Sequence, residues 1–180
     1  TTGTELNVGD VVSVTIPGAV DAFCRMSTTW GRRDLGAVFA PAISYAEEGI
    51  PVAPRVAHDW AHHQDTLNRS AWDFYSVDGS APVAGQVFRA PGEAEVLRLI
   101  ARHGPGGFYD GDVAADMHTA LREAGGCHKM EDFAGGKTVI GEPISGMYRG
   151  VELLEHPPNS QGVIAILMAK ILEQFDFSNF

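Results

Sequence analysis

Seven consecutive apolar residues, Val163 to Ala169, stand directly behind the turn-forming run Pro157-Pro158-Asn159-Ser160-Gln161-Gly162. Read as a helix, Val163 to Leu172 is apolar nearly all round. Such a helix has no wet face, so Ile164, Leu167, Met168 and Ile171 are expected in a core that covers it on several sides. The run is far shorter than the ~20 residues a membrane helix needs, so no membrane partner is expected. The chain must therefore fold around this helix or supply it to something that does.

The rest of the sequence reads as mostly helical. Pro17-Gly18 separates a β-branched run, Val11 to Ile16, expected as a short buried strand, from a helix carrying Ala19, Phe23 and Met26 on one face. Asp34 can N-cap a second helix with Leu35, Val38, Phe39, Ala42, Ile43 and Ala46 at helical spacing, and Gly49 suits its C′ position. Pro41 inside that pattern predicts a kink or two abutting helices. Pro54 and Pro91 open two more helices. The first shows Val56, Trp60, His63 and Leu67, and the second shows Val96, Leu97 and Ile100 before stopping near Gly104. Ala71 to Val87 shows no period and reads as loop with at most one short strand. The helix after the "GPGGFYDGD" turn carries Val113, Met117, Ala120, Leu121 and Ala124, and Gly125-Gly126 ends it. From Lys137 the pattern turns to β-formers with a hairpin break at Arg149-Gly150. Strands so few and short need partners from outside the chain to complete a sheet. Residues 1–180 read as a single partial domain of α+β class.

Composition narrows the function. Hydrophobic residues make up 44% of the chain, enough to build a core. A formal charge of −10, with no Lys/Arg cluster set against it, argues against nucleic-acid binding. Cys24 and Cys127 form no spaced pair and match no zinc pattern. No basic n-region or apolar h-region marks the start, so no targeting signal is visible. Periplasmic, secreted and cytoplasmic settings all stay open. A chain opening at Thr1 and closing on "FDFSNF" reads as an excised or processed piece.

No catalytic constellation stands out on residues alone. His58 and His62 lie one helical turn apart, a spacing found in zinc sites, yet no glutamate takes the general-base place and no third ligand follows nearby; His118 and Asp65 are the distant candidates. Asp59 and His63 are equally spaced for a surface pair. The glycine-rich turn lacks the Lys-Ser/Thr of a phosphate loop, and Asp110 and Asp112 would repel a phosphate. Asp112 suits a helix N-terminus, and with Asp116 it lacks the alternating ligands of a calcium loop. No metal and no cofactor is expected. Ser160 has Gly162 two residues after it, but Pro158 stands where a nucleophile elbow needs its first small residue. Asn159, Ser160 and Gln161 therefore suit a helix cap or the lining of a cleft, and Ser160 is not expected to be a nucleophile.

Four stretches in order resemble the gamma-glutamyltransferase family. They are "SVTIPGAVDAF", "LGAVFAPAISYAEEGIPVAPRVA", "GPGGFYDGDVAADMHTALREAGG" and "EPISGMYRGVELLEHPPNSQGVIAILMAKILEQFD", running from about Val11 to Asp176. The resemblance implies a four-layer αββα N-terminal-nucleophile hydrolase fold and a precursor that cuts itself into large and small subunits. The chain is similar to the later part of the large subunit. Its implied partners are a small subunit carrying a catalytic threonine and a small-molecule gamma-glutamyl or acyl-amide substrate, as for a zymogen of glutathione metabolism. The family's nucleophile would lie downstream and its carboxylate-binding arginine upstream, so no catalytic residue maps onto this sequence. "HPPNSQG" resembles the Pro-Pro-Asn-Gly-Gln-Gly form found with cephalosporin acylases and small-amide hydrolases, the alternative reading. A non-catalytic structural or interaction fragment is the alternative of another class.

Overall fold

The computed structural model describes residues 9–177. It divides into two compact units, Thr1–Thr138 and Val139–Phe180.

The first unit is helical. It contains α1 (Ala19–Trp30), α2 (Leu35–Glu48), α3 (Pro54–His63), α4 (Arg69–Tyr75), α5 (Pro91–His103), α6 (Gly106–Tyr109), α7 (Gly111–Glu123) and α8 (Met130–Gly135). Two-residue strands β1 (Ile50–Pro51) and β2 (Val87–Phe88) pair antiparallel. Local chemistry sets several of these ends. The Asp34 carboxylate accepts from the Ala37 amide at 2.8 Å, and prolines open α3 and α5. Gly125, at φ +89°, ends α7, where the Gly126 amide donates back to the Leu121 carbonyl at 2.8 Å. Helix α2 runs unbroken through Pro41, so the two-helix alternative falls away. Gly49 closes it at φ 90°, ψ 164°, a positive φ but not the left-handed helical conformation expected.

Several elements of this unit differ from the sequence expectation, among them α3, which ends at His63 and leaves Leu67 beyond the helix face on which it is expected. Val11 to Ile16 is not a strand: Val11–Ser13 forms a 3-10 turn, held by the Ser13 amide on the Asp10 carbonyl at 2.9 Å. β-Branched residues favour a ladder only where a neighbouring strand offers one, and no strand among the described residues pairs there. Residues 71–75 belong to α4, started by Asn68, whose side chain accepts from the Ala71 amide at 2.9 Å. In α1 the buried residue is Cys24, while Phe23 and Met26 are exposed. The face bearing Ala19, Phe23 and Met26 is exposed, and the side that packs within this unit bears Val20, Cys24 and Ser27.

Close approaches hold the unit together. α2 packs on α5, with Arg98 paired to Glu47 and 3.6 Å from Glu95. A Cβ on Gly107 would lie 2.3 Å from the Leu99 carbonyl oxygen, so α6 meets α5 backbone to backbone. The buried Tyr109 hydroxyl donates to the Pro17 carbonyl at 2.6 Å and accepts from the Asp21 amide at 3.2 Å. The Asp21 carboxylate in turn accepts from the Thr138 amide at 2.7 Å, and Arg25 donates to the Thr138 carbonyl at 2.8 Å. The Thr138 hydroxyl and then its amide, with Arg25 and Lys137 behind them, hold the Asp21 carboxyl below the usual range. Of the two Thr138 groups, only the amide makes a hydrogen bond; the hydroxyl is buried and makes none among the described residues.

A carboxyl lowered in the folded state contributes stability above its unfolded value and loses it as pH falls through the folded one. Asp21→Asn should therefore melt below the wild type at pH 7, and the gap should close below about pH 4. Melting curves from pH 7 to pH 3 test this; a gap that stays constant would show that the charge plays no part.

The second unit is a hairpin with a helix laid on it. β3 (Ile144–Tyr148) and β4 (Val151–Glu155) pair antiparallel, Tyr148 opposite Val151 and Ile144 opposite Glu155. Arg149 (φ 48°) and Gly150 (φ 83°) form the two-residue turn at the expected break. The Arg149 amide donates to Glu173 and its guanidinium to the Phe175 carbonyl, tying the turn to the chain beyond α9 (Gly162–Leu172). Gly146 lets Ile166 of α9 lie against the strand, since a Cβ there would meet the Ile166 side chain at 2.5 Å. α9 half-buries Ala165, Ile166 and Ala169. Ile164, Leu167, Met168 and Ile171, expected in a core, are instead 48–56% exposed. One hairpin covers one stripe of a helix, and the helix is apolar all round. No helix among the described residues is long and apolar enough to cross a membrane.

Candidate functional site

The polar run between β4 and α9 is held by its own backbone. Asn159, Ser160 and Gln161 are all exposed on one short turn. The Ser160 hydroxyl lies 3.1 Å from the His156 carbonyl oxygen and 3.2 Å from that of Pro157, and accepts from the Gly162 amide at 3.4 Å. These are bonds that shape a loop. The contact with His156 runs to its carbonyl, so the imidazole is not placed as a base for this hydroxyl. The Gln161 carbonyl accepts the Ile164 amide at 2.9 Å and starts the helix, while its side chain makes no capping bond.

Gly162 fixes how closely the turn folds back. A Cβ there would stand 2.4 Å from the His156 carbonyl oxygen and 2.8 Å from the Glu155 Cβ. Beside the turn lies a cavity of about 390 Å³ lined by Gly141, Pro143, Leu154, Glu155, His156 and Pro157. Its walls come from the end of β4 and the segment before β3. Sequence patterning marked the turn but not these walls, because Gly141 and Pro143 lie ten or more residues upstream of Leu154, with no periodic signal linking them.

The other candidates resolve into local pairs. His62 Nδ1 donates to the His58 carbonyl at 2.8 Å, with the two rings 4.0 Å apart. Among the described residues no group of three His, Cys, Asp or Glu side chains is placed to hold a metal, so neither His118 nor Asp65 joins the pair. Asp59 pairs with Arg55 at 2.8 Å rather than with His63, because the guanidinium offers its fork one turn earlier. The glycine-rich turn becomes α6, and Asp112 lies in the first turn of α7, where the helix dipole favours a carboxylate. Burial pushes the Cys24 thiol up, which makes it a poor nucleophile; Cys127 is exposed and free.

Known proteins supply what the isolated geometry lacks. The chain matches the family model described as Gamma-glutamyltranspeptidase over residues 2–180. It is 34% identical over 171 residues to the glutathione hydrolase-like YwrD proenzyme of Bacillus subtilis (strain 168), covering 92% of this chain and 32% of that protein. It is 31% identical over 176 residues to the acylase ACY 1 proenzyme of Pseudomonas sp. (strain SE83), covering 96% and 32%. Among solved structures it superposes on the cephalosporin acylase from Bacillus halodurans with a TM-score of 0.90 and 37% identity, covering 96% of this chain and 34% of that one. The Helicobacter pylori gamma-glutamyltranspeptidase gives a TM-score of 0.88 and 26% identity, covering 94% and 50%. The chain thus spans about a third of the length of the curated relatives it matches.

Proposed function

Because the chain belongs to the gamma-glutamyltranspeptidase family, we propose that it is the large-subunit portion of an autoprocessed enzyme that cleaves or transfers the gamma-glutamyl amide of glutathione-type substrates. Its helices and hairpin are part of the N-terminal-nucleophile hydrolase fold. The observation that carries the proposal is the family match, unbroken across both compact units. Residues 1–180 are then one partial domain, completed by chain outside it.

In this reading the chemistry belongs to a threonine freed at the start of a small subunit. Its hydroxyl attacks the acyl amide, and its own α-amine takes the proton and passes it to the amine that leaves as the C–N bond breaks. Water or an acceptor amine then resolves the ester. This chain contributes scaffold and cleft wall. Asn159, Ser160 and Gln161 border the substrate cleft without taking part in bond breaking, a role that suits exposed polar groups at a helix entry. The apolar faces of α9 are covered by the small subunit.

A second reading keeps the chemistry and replaces the glutamyl group by another acyl group. The "PPNSQG" turn and the likeness to the cephalosporin acylase favour it.

Kinetics on the complete protein separate these. Asn159→Ala or Gln161→Ala should change the ratio of kcat/KM between a gamma-glutamyl anilide and an aliphatic acyl anilide by roughly tenfold, equivalent to about 1.4 kcal/mol of differential binding. Ser160→Ala should leave turnover in place, and self-cleavage should survive in all three variants. Unchanged ratios would put the turn outside the cleft. A complete protein that neither cleaves itself nor turns over either anilide would be the non-catalytic fragment instead.

A further inference from the structure

The crease between α5 and α7 has no part in the reading above. α6 packs on both helices, and an open cavity of about 490 Å³ runs between them. Its floor is apolar: Val96 and Leu99 come from α5, Val113 and Met117 from α7, all half-buried, with Phe108 of α6 beside them. The pairs are spaced i,i+3 and i,i+4, so each wall presents a ridge one helical turn long.

The rim is uniformly acidic. Glu93 and Glu95 stand on the α5 side and Asp112 and Asp116 on the α7 side, all exposed, and no Lys, Arg or His is among the described residues that line the cavity. Three of the four have local explanations. Glu93 and Asp112 sit in the first turns of their helices, where the dipole favours them, and Glu95 is near Arg98. Asp116, in the middle of α7, has neither a hydrogen bond nor an ion pair among the described residues. Carboxylates on two walls facing across an apolar floor repel one another, and a cationic occupant would relieve that repulsion.

We propose that this groove docks an amphipathic helix whose apolar stripe is flanked on both sides by lysine or arginine. The ridges accept side chains at i, i+3 and i+4, and the two acidic rims match basic flanks on either side of such a stripe. A free amine would answer the charge and leave the floor uncovered.

The test uses the complete protein and two synthetic helical peptides, one with a leucine stripe flanked by lysines and its twin with glutamates in their place. Fluorescence anisotropy should show micromolar binding of the lysine peptide only, weakening as salt rises from 20 to 300 mM. Glu93→Gln combined with Asp116→Asn should weaken it at least fivefold and flatten the salt dependence. Met117→Glu should weaken it at least tenfold. The same charge change away from the groove, Glu131→Gln with Glu152→Gln, should leave it within twofold, and circular dichroism checks the fold of each variant. Absence of lysine-peptide binding, equal binding of both peptides, or an equal loss in the control variant would overturn the proposal, the last by tracing the attraction to the overall negative field.

Discussion

Phe133→Ala should lower stability by about 3–5 kcal/mol, the cost of removing a large side chain and leaving a cavity. Phe133 is fully buried, although α8 is only six residues long. The helix is fixed at its start by Asp132, which accepts from the Lys129 amide at 2.8 Å, and at its end by the Gly136 amide on the Phe133 carbonyl. With both ends pinned, α8 cannot slide to close the gap. A typical domain has only 5–15 kcal/mol in total, so the variant should unfold at markedly lower urea and melt roughly 10 °C lower. Urea titration of wild type, Phe133→Leu and Phe133→Ala should show a graded loss. A loss under about 1 kcal/mol for alanine would mean that the pocket collapses freely.

Gly162→Ala should be the most damaging small change near the candidate cleft. The added methyl would stand 2.4 Å from a backbone oxygen and 3.1 Å from a backbone nitrogen of His156. No side-chain rotation relieves that contact, so either β4 or the start of α9 must move. Overpacking costs typically about 1–3 kcal/mol, and a clash against backbone belongs at the upper end. In the complete protein the displaced turn should depress kcat/KM for every acyl substrate together, unlike the selective losses expected for Asn159 and Gln161. Wild-type melting and kinetics in Gly162→Ala would show that the turn takes up the methyl without displacing β4 or α9.

What the sequence made legible was local. The Arg149-Gly150 break, the Asp34 cap, the opening prolines and Gly125 each act through their own turn, and each lies where the pattern put it. Helix α4 was missed because Asn68 starts it while Asp73 and the aromatics after it show no helical period over so short a span. Helix α8 was missed for a similar reason, six residues being too few to display one. Burial is where the sequence pattern falls short. Periodicity identifies the apolar faces of α1 and α9, but not whether Phe23 or Leu167 finds its cover within these residues. The turn Asn159 to Gln161 was legible as a helix entry. Its neighbouring cavity depends on Gly141 and Pro143, brought near by hairpin pairing, and no short-range pattern encodes that.

The half-open α9 also bears on how such a protein can be made. Ile164, Leu167, Met168 and Ile171 offer water a sticky strip from the moment the helix forms. A separate polypeptide would have to find that strip by diffusion, in competition with every other strip like it. A cover carried on the same polypeptide arrives at millimolar effective concentration, ahead of self-association. If the strip is covered by a small subunit, as proposed above, synthesis as one chain with the cut made after the strip is sealed would be the assembly order that keeps this helix out of aggregates. Co-expression of two separately encoded halves should yield less soluble material than the continuous gene.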